Sequence, residues 1–268
     1  MRTMLMDTRT FAALIAAIVV AATGVVAAQQ PATAARPAAA ATEAPRLPDG
    51  KPDLSGVWWS GGVSAKQNNL AELERLYKPE ARAIMNQLTE DDDPTLRCIP
   101  YGYPRAITLP SNQQFQIVHK PGLMVVMNEY FHSFRIIPTD GRGHAADIFP
   151  TYLGDSVARW DGDTLVVDVT GFNGKIWLAD GADKPTPTST GAWITSDALH
   201  VVERWRRIDS ETLEYQATVD DPKLLTGSWT MPAVRTKRAP DVKIGEAMCL
   251  DTTTYGLTEK GRQEQLKQ

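Results

Sequence analysis

Leu199-His-Val-Val-Glu-Arg-Trp-Arg-Arg-Ile208 and Thr212-Leu-Glu-Tyr-Gln-Ala-Thr-Val-Asp220 are β-type runs joined by Asp209-Ser-Glu211. Both runs alternate with period two, and the polar connector between them is a hairpin loop. Pairing about that loop sets Trp205 against Tyr215 and Val201 against Val219. The opposite face sets Arg206 against Glu214 and His200 against Asp220. Facing opposite charges favour this register by about 0.2–1 kcal/mol per pair. The apolar face therefore points inward with Glu203 on it, and His200 points out.

Working towards the N-terminus, the same signal recurs. Val157–Trp160 and Thr164–Phe172 flank Asp161-Gly-Asp163, a hairpin turn. Gln114–Lys120 and Leu123–Pro138 flank Pro121-Gly122, the pair a type II turn requires. Leu54–Ser60 reads as an opening strand. Between them, residues 69–89 carry apolar side chains at helical spacing, and Pro79 starts a second helix at its first turn. Successive hairpins with one apolar face predict a mainly β protein. The expected architecture is an antiparallel meander barrel of lipocalin-like type with a short helical segment near the N-terminus, and a β-sandwich is the alternative.

The ends give a compartment. Arg2 and Arg9 precede an apolar stretch from Phe11 to Val26, and Val26-Ala-Ala28 offers small residues for cleavage, so residues 1–28 read as a secretory signal peptide. The apolar run is shorter than the roughly 20 residues of a membrane-spanning helix, so no membrane span is expected in the mature form. Residues 29–48, rich in Ala and Pro, read as a disordered tether, and 49–268 as one β-rich domain. A periplasmic or secreted protein with only two cysteines is expected to pair them, Cys98 with Cys249.

Composition narrows the function classes. The formal net charge is −4, and no basic cluster marks a nucleic-acid surface. There is no nucleophile elbow, phosphate loop or dinucleotide fingerprint, so no cofactor is expected. Asp91-Asp-Asp93 and Asp220-Asp221 precede prolines and read as solvated turns. His132, His144 and Asp147 match no metal-ligand spacing, and no metal is assigned.

Ionisable groups inside apolar runs are costly unless paired or used, which selects His132, Arg135, Asp168 and Glu203. Glu203 beside Trp205 and Tyr215 is an acid–base candidate, or a buried partner of Arg135 or Arg159. His132 is the expected proton-transfer residue, because the pattern places it in an aromatic strand between Tyr130 and Phe134. Strand parity puts Glu129 and Arg135 on the other face. His144 follows a Gly-rich loop that would lie near a barrel mouth. Tyr130, Trp59, Trp160, Trp205 and Tyr215 are the aromatic groups expected to line a ligand cavity.

The blocks Asp93-Pro-Thr-Leu-Arg-Cys-Ile-Pro-Tyr-Gly-Tyr-Pro-Arg105, Gly154-Asp-Ser-Val-Ala-Arg-Trp-Asp-Gly-Asp-Thr-Leu-Val-Val-Asp168 and Asp197-Ala-Leu-His-Val-Val-Glu-Arg-Trp205 resemble a large group of exported, mostly uncharacterised bacterial proteins of acidobacteria and proteobacteria. The resemblance spans Pro52–Trp229 and implies export and a single β-rich domain. It carries no activity and no catalytic residue. Asp53-Leu-Ser-Gly-Val-Trp58 is similar to the Gly-x-Trp start of lipocalin-like barrels.

Three functions fit these observations. One is a cofactor-independent acid–base enzyme, a lyase, isomerase or hydratase, acting on a small apolar or aromatic substrate. Another is a lipocalin-like binding protein for a small hydrophobic ligand. The third is a structural or interaction protein of the envelope. The enzyme requires several of these ionisable groups to converge on one pocket.

Overall fold

The computed structural model describes residues 42–62, 64, 66–108, 113–245 and 249. The signal segment and most of the expected tether lie outside them.

Among the described residues, ten strands and three short α-helices follow in order. These are β1 (Gly56–Trp59), α1 (Leu70–Leu76), α2 (Pro79–Met85), α3 (Arg105–Thr108), β2 (Gln114–Lys120), β3 (Leu123–Asn128), β4 (Phe134–Pro138), β5 (Asp155–Asp161), β6 (Thr164–Thr170), β7 (His200–Arg207), β8 (Thr212–Asp220), β9 (Trp229–Thr230) and β10 (Val234–Lys237). The protein is mainly β. One antiparallel sheet has the order β1-β2-β3-β4, and the other has β10-β8-β7-β6-β5 with β9 also on β8.

The β7–β8 hairpin has the expected register, with Trp205 opposite Tyr215, Arg206 opposite Glu214 and His200 opposite Asp220. Gly122 and Gly162 take φ of +79° and +59° at the tips of β2–β3 and β5–β6, conformations that L side chains rarely adopt. Pro79 opens α2 as expected. Trp58, Trp193, Trp205 and Trp229 are fully buried in the core. Burial of a large apolar side chain contributes ~1.5–3 kcal/mol.

The expected barrel is not closed by ladders, and two antiparallel sheets describe the molecule. At one side they approach through an isolated bridge, Trp58 to Arg238, with the Ala239 N–H donating to the Val57 carbonyl at 2.8 Å. At the other side β4 and β5 each pair with one neighbour only, so a seam separates two sheet edges.

Leu123–Pro138, expected to be one strand, is itself a hairpin. β3 ends at Asn128 and β4 begins at Phe134. Phe131 and His132 turn the chain with φ of 61° and 46°. Neither residue is Gly or Asn, so no turn signal marks the place.

Cys98 and Cys249 form the expected disulfide, Cα to Cα 5.8 Å, across 151 positions. No helix among the described residues is long and apolar enough to cross a membrane. Residues 42–48 of the expected tether are held to the domain: the Thr42 N–H donates to Ser210 Oγ, and Arg46 forks onto Asp163 at 3.0 and 2.8 Å.

The acidic turns are solvated only in part: Asp91 is exposed and Asp92 and Asp220 are half-buried, but the last carboxylate of each run is not. Asp93 is buried and takes a two-pronged contact from Arg105 at 2.9 and 2.7 Å. Asp221 is buried and accepts from the Ser196 N–H and hydroxyl at 2.7 and 2.6 Å. In both cases the carboxylate satisfies donors that the fold has already removed from water.

Candidate functional site

Glu203 lies on the inner face of β7 with no exposed surface, opposite Ala217. Its two oxygens accept four hydrogen bonds. Two come from Arg135 at 2.8 and 2.9 Å, one from Trp205 Nε1 at 3.1 Å and one from the Tyr215 hydroxyl at 3.1 Å. Arg135 reaches it from β4, also donating to Ser156 Oγ at 3.1 Å and lying over the Tyr103 ring at 4.0 Å. Burial pulls the Arg135 pKa down, but the Glu203 charge and hydrogen bonds outweigh it and raise it. Burial pushes the Tyr103 hydroxyl up to about 12. This is a buried ion pair between the two sheets, with Arg135 at the back of the β4–β5 seam and Glu203 fully enclosed behind it. It is the structural alternative for Glu203, with Arg135 rather than Arg159 as partner.

His132 is exposed at the tip of the β3–β4 hairpin. Its expected place in an aromatic strand is therefore corrected: the chain reverses at 131–132, and the period-two parity breaks there. Tyr130 stands at the same tip, its ring 6.1 Å from that of Tyr101.

Asp168 is also re-placed. Val167 and Val169 take the inward positions of β6, so alternation turns Asp168 outward. On that outer face His144 Nε2 meets Asp168 at 2.9 Å, and His144 Nδ1 meets Asp155 at 2.6 Å. His200 Nε2 approaches both Asp168 oxygens at 3.2 Å. An imidazole that donates from both nitrogens is the protonated form. Burial pulls the His144 pKa down, and the bonds to Asp155 and Asp168 outweigh it and raise it. Burial pushes Asp168 up, and the bonds from His144 and His200 outweigh it and lower it. His200 points outward as the register requires, and outward is where its partners are. His119 is buried beside β1, its Nδ1 accepting from the Leu54 N–H at 3.3 Å, and burial depresses its pKa.

The expected catalytic residues thus fall into three places. Glu203 and Arg135 are inside, His144 and Asp168 are on the outer face of β6, and His132 is at a hairpin tip. The expected aromatic lining is dispersed as well. Trp205 and Tyr215 are core, with ring centroids 4.6 Å apart. Trp160 stacks near His119 at 5.8 Å, and Trp59 lies half-buried on the outer face of β1.

The seam between β4 and β5 holds an open groove of about 410 Å³. Because both walls are sheet edges, the groove touches side chains from both faces of each strand. Phe134, Ile136, Tyr152 and Leu153 form apolar walls, while Arg135, Asp155 and Ser156 supply polar groups. Phe134 and Ile136 are 60% and 58% exposed, so the apolar surface is already at the rim. Asp155 joins the groove to the outer-face cluster, since its partner His144 also holds Asp168.

No motif or periodicity in the sequence marks Asp155 or Tyr152. The β5–β6 register places Asp155 opposite Thr170, two residues along β6 from Asp168 and on the same face. That cross-strand parity was the available signal. Among the described residues no group of three or more His, Cys, Asp or Glu is arranged to hold a metal ion.

Comparison with known proteins finds no matching family model, no matching curated protein and no matching solved structure.

Proposed function

We propose that the protein is an exported small-molecule-binding protein whose apolar or aromatic ligand lies in the β4–β5 seam. One observation carries this: an open groove of about 410 Å³ whose walls are apolar at Phe134, Ile136, Tyr152 and Leu153, a volume within the range of small-ligand sites. The export signal and the disulfide support a periplasmic or secreted location. The likeness to exported bacterial proteins agrees with it.

The test is binding of 1-naphthalenemethanol by titration NMR, with Ile136→Asp as the blocking variant. A charge on the groove wall should weaken binding by roughly ten-fold or more while the fold persists, because Ile136 is a surface position. Binding unaffected by Ile136→Asp would place the ligand elsewhere.

A second reading rests on a specific contact, His144 against Asp155 at the groove edge. A carboxylate–imidazole pair can take and return a proton, so the groove could support a lyase, isomerase or hydratase. In that case Asp155 and His144 carry the chemistry, with Asp168 orienting the imidazole and His200 holding Asp168. Turnover abolished by His144→Gln with ligand binding retained would mark the enzyme.

A further inference from the structure

The groove's two charged wall residues are unequal, and this sets which ligands it accepts. Arg135 carries a positive charge, yet both its terminal nitrogens are committed to Glu203, and one of them also to Ser156. The pair is buried, with side chains 3% and 0% exposed. Its charge is neutralised within the protein and offers no counter-ion to a ligand.

Asp155 is the reverse case. Its side chain is 38% exposed, and only Oδ2 is engaged, accepting from His144 at 2.6 Å. Oδ1 has no partner among the described residues. His144 is shared with Asp168, so one imidazolium faces two carboxylates. Across the sheet His200 meets Asp168 and stands opposite Asp220. Of the two carboxylates and two imidazoles in this cluster, Asp155 alone lines the groove, so a carboxylate is the charged group a ligand meets there.

We propose that the groove selects an apolar or aromatic molecule carrying a hydrogen-bond donor, a hydroxyl or an ammonium group, and rejects the corresponding carboxylate. The donor meets Asp155 Oδ1 while the apolar body lies against Phe134, Ile136, Tyr152 and Leu153. This rests on the groove being the ligand site and adds the polarity of the ligand's head. A bond to a charged acceptor is worth more than a neutral one, and a second anion near Asp155 meets both repulsion and desolvation.

The experiment compares four probes of one shape on the wild-type protein at neutral pH: 1-naphthalenemethanol, 1-naphthylmethylamine, 1-methylnaphthalene and 1-naphthoate. The alcohol and the amine should bind roughly ten-fold or more tighter than the naphthoate, with methylnaphthalene between them. Asp155→Asn should remove most of the gap between amine and naphthoate. Naphthoate binding as tightly as the amine overturns the proposal. Equal binding of all four also overturns it, while leaving the groove as the ligand site. Failure of all four to bind removes the groove reading and this inference with it. The wild-type comparison needs no variant, so it stands even if Asp155→Asn unfolds the edge of β5.

Discussion

Arg135 and Glu203 face each other with two parallel hydrogen bonds of 2.8 and 2.9 Å, although they lie 68 positions apart and in different sheets. Trp205 and Tyr215 complete the carboxylate's shell. Removing one partner leaves an uncompensated buried charge.

Arg135→Met should therefore lower stability by about 3–5 kcal/mol, with Glu203→Leu comparable. The double substitution should cost much less than the two single costs combined, because it removes the charge with its partner. Urea unfolding of the four proteins measures this. Additive losses would show that the pair is not coupled.

The outer-face cluster gives a pH signature. The His144 pKa is raised above its ordinary 6.5, so its contribution is full below that value and is lost as pH rises through the raised pKa. The Asp168 pKa is lowered below its ordinary 3.8, so its contribution is full above that value and is lost as pH falls through the lowered pKa. Thermal melts should show the cluster's full effect from about pH 4 to 6.5, the interval between the two ordinary values. His144→Gln should flatten the fall on the alkaline side. An unchanged profile in that variant would remove the cluster from the pH dependence.

Reduction of the Cys98–Cys249 bond opens a loop spanning 151 positions. On the loop-entropy relation, replacing both cysteines by alanine should cost about 4–5 kcal/mol. The unfolding midpoint in urea, with and without reductant, reads this directly. A midpoint indifferent to reductant would contradict it.

His132 holds a left-handed backbone at φ 46°. Replacing it with glycine should stabilise the protein by about 0.5–1 kcal/mol, since the strain lost exceeds the chain entropy added. The variant should also keep ligand binding, because His132 does not line the groove. Loss of binding in a stable His132→Gly protein would restore it as a site residue.

What could be read from the residues follows from how locally each feature is encoded. The β7–β8 register was legible because alternation, loop length and facing charges agree within about 20 residues of chain. Glu203 as an inward group followed from that register. The hairpin at Phe131–His132 was not legible, because tertiary contacts hold bulky residues in a turn that normally selects Asn-Gly. The Tyr101 and Phe131 rings meet edge-on at 4.7 Å in that corner. One missed turn moved His132 from a strand to a tip. The groove was hidden for a different reason. It lies between edges from separate sheets, and no periodicity within a strand reports where a sheet ends.

The ion pair behind the seam also bears on the energetics of binding. Arg135 belongs to β4, reaches Glu203 in the opposite sheet, and holds Ser156 of β5 on the way. The two walls of the groove are thereby braced at a set separation before any ligand arrives. A ligand entering such a preorganised slot meets walls that need little ordering, so more of its contact energy appears as affinity. Its fit is then decided by thickness: a flat ring slides between fixed walls, and a bulkier skeleton must break the brace.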